Sequence, residues 1–192
     1  MLRGLADVVL DSQRIFRSVL DAMAHPGRVV PLEPAPEAPR PLHPAATAVC
    51  LALLDFETPV WLDPPGRTRE VIDGLRFRCS CPLVEEPGDA RFALIVDPHR
   101  MPPLTAFDGG TEEYPDRSAT LIVQVDALAT GAGKRLRGPG IAAEERLLVE
   151  GLPERFWTEL GDNHARFPRG VDIILAAPAS LAALPRTTRV EG

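Results

Sequence analysis

The sequence predicts one α/β domain, residues 1–192, with a mixed central sheet flanked by helices. Three observations point there. Helical and extended segments interleave along the whole chain, the pattern of layered α/β architectures. Short apolar runs such as Phe92 to Val96 and Ala119 to Val125 suit strands covered on both faces. The 192 residues are 45% hydrophobic and 25% charged, which fits a single core of ordinary size.

The elements follow in order. Leu5 to Ala24 places Val8, Ser12, Ile15, Phe16, Val19, Leu20 and Met23 on one stripe of period 3.6, which predicts a helix with that stripe inward. His25, Pro26 and Gly27 stop it, because Pro26 disfavours helical geometry at His25. Val29 and Val30 then start an extended run. Pro31 to Pro44, with proline at 31, 34, 36, 39, 41 and 44, reads as an irregular surface loop. Ala45 to Leu54 predicts a buried helix started by Pro44. Thr58 to Leu62 is a strand, and Arg67 to Leu75 an amphipathic helix that Arg76 to Cys81 leaves. After the strand at Phe92 to Val96, the proline-, glycine- and acid-rich stretch from Asp97 to Arg117 predicts a long exposed excursion. Ala119 to Val125 is the clearest strand, and Lys134 to Arg137 predicts another. Ala142 to Glu145 is helix-friendly. Pro153 to Gly161 has proline at its start and glycine at its end, the usual helix asymmetry. Val171 to Leu175 is a buried strand, and Leu181 to Val190 closes the chain.

Composition excludes several functions. A net charge of −6 argues against the basic footprint of a nucleic-acid binder. No apolar run reaches the ~18 residues of a membrane span. The first ten residues carry only Arg3 ahead of a stretch broken by Asp7, which does not read as an export signal and predicts a cytoplasmic protein. Of 21 basic residues, 20 are arginine, for which a GC-rich coding sequence is a sufficient cause. Chemistry that needs a lysine, such as a pyridoxal phosphate Schiff base, can therefore run only through Lys134, which the sequence places in the flexible turn Gly131 to Arg135. Cys50, Cys79 and Cys81 are too few for a closed zinc site or an iron–sulfur cluster, and His25, His43, His99 and His164 are scattered, so the thiols read as packing residues.

Two short motifs are candidate ligand contacts. Gly138-Pro139-Gly140 follows a strand, and its exposed amides could cradle an anion or simply form a turn. Arg186 and Arg189, with Thr187 and Thr188 between them, could grip a phosphate or phosphonate, or make salt bridges at an acidic surface. His25 could act as an acid or base but suffices as a helix cap. Asp162, His164 and Asp172 fit no common metal spacing. Trp61 and Trp157 sit in apolar runs and read as core or interface residues.

Seven segments, in the same order, resemble the PhnH family, the H subunits of bacterial carbon–phosphorus lyase. They are Phe16 to Leu32 (FRSVLDAMAHPGRVVPL), Glu57 to Leu62 (ETPVWL), Arg76 to Val84 (RFRCSCPLV), Ser118 to Val125 (SATLIVQV), Leu136 to Ile141 (LRGPGI), Phe167 to Leu175 (FPRGVDIIL) and Leu184 to Val190 (LPRTTRV). The resemblance implies a fold similar to pyridoxal-phosphate-dependent transferases without the cofactor, and a homodimer. It further implies a subunit, noncatalytic by itself, that acts with G, I and J partners in phosphonate catabolism. It assigns no catalytic residue, metal or cofactor here. The alternatives are a solitary pyridoxal phosphate enzyme using Lys134, or a nucleotide- or phosphonate-binding module using Arg186 and Arg189.

Overall fold

A computed structural model describes residues 5–33 and 35–191. Arg3 and Pro34, both read above, lie outside the described residues. Helix α1 (Val8–Ala24) starts where the Asp7 side chain accepts hydrogen bonds from the Val9 and Leu10 amides. It ends at His25, as proline at 26 predicts. Strand β1 (Val30–Pro31) leads to the proline-rich loop and then to α2 (Pro44–Leu53), opened by its first-turn proline. Strand β2 (Val60–Leu62) precedes α3 (Arg69–Arg78). That helix runs past the expected Leu75, because Thr68 caps its start while Arg76 and Arg78 complement the negative end of the helix dipole.

Strands β3 (Leu83–Val84), β4 (Phe92–Ile95) and β5 (Thr120–Gln124) follow, of which β3 was not expected. The excursion between β4 and β5 is not simply exposed. Its short turns bury Met101, Leu104 and Phe107, and Phe107 meets the Trp61 ring edge-on at 5.7 Å. Strand β6 (Ala127–Arg137) is longer than expected and pairs with β7 (Glu145–Glu150). The glycine-rich segment read as a turn is a bulge inside β6, between Thr130 and Lys134, and Glu145 begins a strand rather than a helix. Helix α4 (Glu154–Ala165) continues through Gly161, which faces open space and gives the helix no reason to stop. Strands β8 (Asp172–Ala176), β9 (Ser180–Leu184) and β10 (Arg189–Glu191) complete the chain.

The main sheet has the order β1-β9-β8-β5-β4-β2-β3. Strands β3, β2, β4, β5 and β8 are parallel, β9 runs antiparallel to β8, and β1 runs antiparallel to β9, so the sheet is mixed as predicted. Alternation along each strand divides the core in two. Ile122 and Ile174 pack with Ile15, Val49 and Val71 of the first three helices. Leu121, Val123, Ile173 and Leu175 pack on the other face with Phe156 and Leu160 of α4. A second sheet, β10-β6-β7, lies on that α4 side through Leu136 and Leu147. Among the described residues no helix is long and apolar enough to cross a membrane.

The stripe predicted for α1 is only half buried. Ile15, Val19 and Ala22 enter the core together with Asp11, which accepts from the Asp7 amide and pairs with Arg14. Val8, Phe16 and Leu20 face solvent instead. Val9, Phe16 and Leu20 form an outer apolar row at positions 9, 16 and 20, on one side of the helix, while Met23 on that side is half-buried and packs on the core.

Candidate functional site

The two ligand motifs read from the sequence meet in one groove. Two loops build it. One joins β6 to β7 and carries Gly138, Pro139 and Gly140; the other joins β9 to β10 and carries Pro185 to Thr188. The end of α4 and the Phe167-Pro168 segment after it close one side, and Met23 and Ala24 at the end of α1 another. The groove has two lobes that share Pro139, Phe167 and Thr187. The first, of about 490 Å³, is lined by apolar groups such as Met23, Pro168 and Pro185, with Asp116, Asp172 and Arg186. The second, of about 370 Å³, is lined by Arg137, His164, Arg189 and Glu191.

Both glycines of the first motif are explained by close packing. Gly140 has φ +84°, and a Cβ there would collide with the Ala24 carbonyl oxygen. Gly138 has φ +144°, and a Cβ would stand 2.7 Å from the Thr187 carbonyl oxygen. The turn thus locks the β6–β7 loop against both α1 and the β9–β10 loop.

The four donor residues of the second motif divide into two kinds. Arg186 is built into the protein. Its Nε and Nη2 bind the two oxygens of Asp172 at 3.2 and 2.5 Å, Nη1 donates to the carbonyls of Pro115 and Pro168, and Nη2 also donates to the Ser118 hydroxyl. The whole guanidinium fork is engaged and its charge is met by Asp172, so Arg186 holds three segments together and has no donor left for a ligand. Thr188 is 1% exposed and its hydroxyl has no partner among the described residues, so it does not offer the second hydroxyl the motif suggested. Thr187 and Arg189 remain open to the groove.

Among the described residues, the Arg189 side chain is held at one point. Its Nε lies 2.9 Å from Nε2 of His164, and Nδ1 of His164 lies 3.1 Å from the Arg186 carbonyl oxygen. The carbonyl only accepts and the arginine Nε only donates, so Nδ1 is the ring's donor and Nε2 its acceptor in this arrangement. Arg189 makes no ion pair among the described residues, whereas Arg137 pairs with Glu144 and Glu191 at 3.7 and 3.3 Å. His164 therefore positions an arginine rather than binding a metal. Asp172 is committed to Arg186, and Asp162 lines a separate cavity near Arg166. Among the described residues no group of three or more His, Cys, Asp or Glu could hold a metal ion.

Sequence reasoning missed Phe167 as a site residue. It lines both lobes and is 59% exposed, but a lone aromatic between Arg166 and Pro168 belongs to no periodic pattern that would tell which way it faces. His25 caps α1, its Nδ1 lying 3.0 Å from both the Asp21 carbonyl oxygen and the Asp21 carboxylate. Lys134 lies in β6, ion-paired to Glu154 at 2.6 Å, and lines neither lobe. The residues present do not fit a pyridoxal cofactor, which needs a lysine aimed into its site. The three cysteines are buried, and Cys79 Sγ points at the Cys50 carbonyl oxygen at 3.7 Å. Burial raises all three thiols, Cys79 to about 12, so they stay protonated and are poor nucleophiles.

Comparison with known proteins places this arrangement. The family model described as bacterial phosphonate metabolism protein (PhnH) matches residues 3–191. A Rhizobium meliloti (strain 1021) protein named alpha-D-ribose 1-methylphosphonate 5-triphosphate synthase subunit PhnH is 39% identical over 188 residues, 98% of this chain and 94% of the relative. A Stutzerimonas stutzeri protein named "Putative C-P lyase subunit protein HtxG" is 34% identical over 178 residues, 93% of this chain and 85% of that one. With the family model matched almost end to end, the chain belongs to the PhnH family of bacterial phosphonate metabolism proteins.

Proposed function

We propose that this chain is an assembly-forming subunit of a carbon–phosphorus lyase complex in phosphonate catabolism, noncatalytic when isolated. The observation that carries the reading is the full-length similarity to a protein named as a synthase subunit. Its partners are the G, I and J subunits, and the chain pairs with a second copy of itself. The outer row of α1 is the face proposed to meet those other subunits. Val9, Phe16 and Leu20 are 76, 43 and 50% exposed, and an apolar row of that kind on a surface helix is stabilised when another chain covers it. The protonated thiols and the ion-paired Lys134 fit a chain that leaves covalent chemistry to its partners. The fold is kin to pyridoxal-phosphate-dependent transferases without their cofactor, and the protein works in the cytoplasm.

The test is turnover by the purified chain. Incubated alone with ATP and methylphosphonate, it releases no adenine; mixed with the other subunits, it restores a reaction that they cannot perform without it. Robust adenine release by the chain alone would reject the reading.

A further inference from the structure

We infer that the two-lobed groove binds a phosphorylated planar ring of the size of a nucleoside monophosphate, with the oxyanion in the Arg189 lobe and the ring against Phe167. The inference is independent of the assembly reading and concerns the isolated chain. Three observations carry it.

The first is the state of Arg189. His164 takes the Nε hydrogen and fixes the plane of the guanidinium, which leaves the two terminal nitrogens without partners among the described residues. A fork held at its root and open at its tips is arranged for bidentate contact with an oxyanion. The second is Phe167. A ring more than half exposed, standing where the two lobes join, offers a flat apolar face beside a cation. Stacking on such a face tolerates any planar heterocycle.

The third is the partition of charge. In the smaller lobe Glu191 is neutralised by Arg137, so Arg189 leaves a net positive charge. In the larger lobe Arg186 and Asp172 cancel, and the exposed carboxylate of Asp116 leaves a net negative charge. An anionic head is drawn to the first lobe and repelled from the second. The second lobe suits a neutral body whose amino or hydroxyl groups donate to Asp116. Volumes of about 370 and 490 Å³ are in the range of small-molecule pockets.

Calorimetric titration of the full chain with AMP, adenosine and inorganic phosphate tests the inference. AMP is expected to bind at least tenfold more tightly than either fragment. Arg189→Ala lowers AMP affinity by about tenfold or more and leaves adenosine binding unchanged. Phe167→Ala weakens AMP and adenosine alike by about tenfold and leaves phosphate binding unchanged. Both side chains are exposed, so the variants melt like the parent; Arg189→Gln and Phe167→Leu repeat the test should either variant melt early. Absence of saturable AMP binding to the parent chain at millimolar ligand overturns the inference. So does AMP binding that survives both Arg189→Ala and Arg189→Gln.

Discussion

The thiol cluster beneath α2 and α3 and the arginine groove at the end of α4 hold the chain's chemically distinctive side chains in opposite surroundings. Cys50, Cys79 and Cys81 are packed in an apolar layer, where desolvation keeps them protonated. Arg186 and Arg189 lie three residues apart, one sealed by carboxylate and carbonyl oxygens and one facing a groove. Residue type alone does not separate a structural group from a functional one. Solvent access and unused hydrogen-bonding capacity do.

Four substitutions break or sharpen that contrast. The largest effect is expected from Arg186→Ala, which strands Asp172 and uncaps the Pro115 and Ser118 oxygens; urea unfolding should show a loss of about 2–4 kcal/mol. If it proves as mild as Arg189→Ala, the division into sealed and open arginines fails. Gly140→Ala comes next, because the left-handed φ and the Ala24 carbonyl both oppose a methyl group. A destabilisation of about 1–3 kcal/mol is expected in the same assay, together with weaker AMP binding.

The thiols give a pH dependence of known sign. Below pH 9, the ordinary value, Cys79 is protonated folded and unfolded, so its burial contributes fully. Between pH 9 and about 12 only the unfolded chain ionises, and stability falls as pH rises. The denaturation midpoint should fall with rising pH across this range in the parent and fall less in Cys79→Ala, where Cys50 and Cys81 still contribute. The smallest effect belongs to Arg189→Ala, which should change stability by less than about 0.5 kcal/mol while altering the groove.

Much of the main sheet was legible because β4, β5 and β8 are buried on both faces and announce themselves as apolar runs. The second sheet was not. The Gly131-Ala132-Gly133 bulge interrupts the alternation of β6, and the acid-rich start of β7 has the composition of a helix. The glycine and arginine motifs were individually readable, but nothing in the sequence says that Gly140 and Arg186 line one cavity; that follows from how β6, β9 and α1 pack. On α1 the periodicity marked the helix correctly and the inward face too broadly. Apolar residues that enter the core and those that stay exposed obey the same 3.6-residue period.

The most direct measurement is co-purification of the tagged chain with the G, I and J subunits, made in parallel for the parent and for Phe16→Asp/Leu20→Asp. A stable complex with the parent, lost in the double variant whose melting temperature is unchanged, is the predicted result. A parent chain that elutes without any of the three at micromolar concentration, or a double variant that retains them, would contradict it.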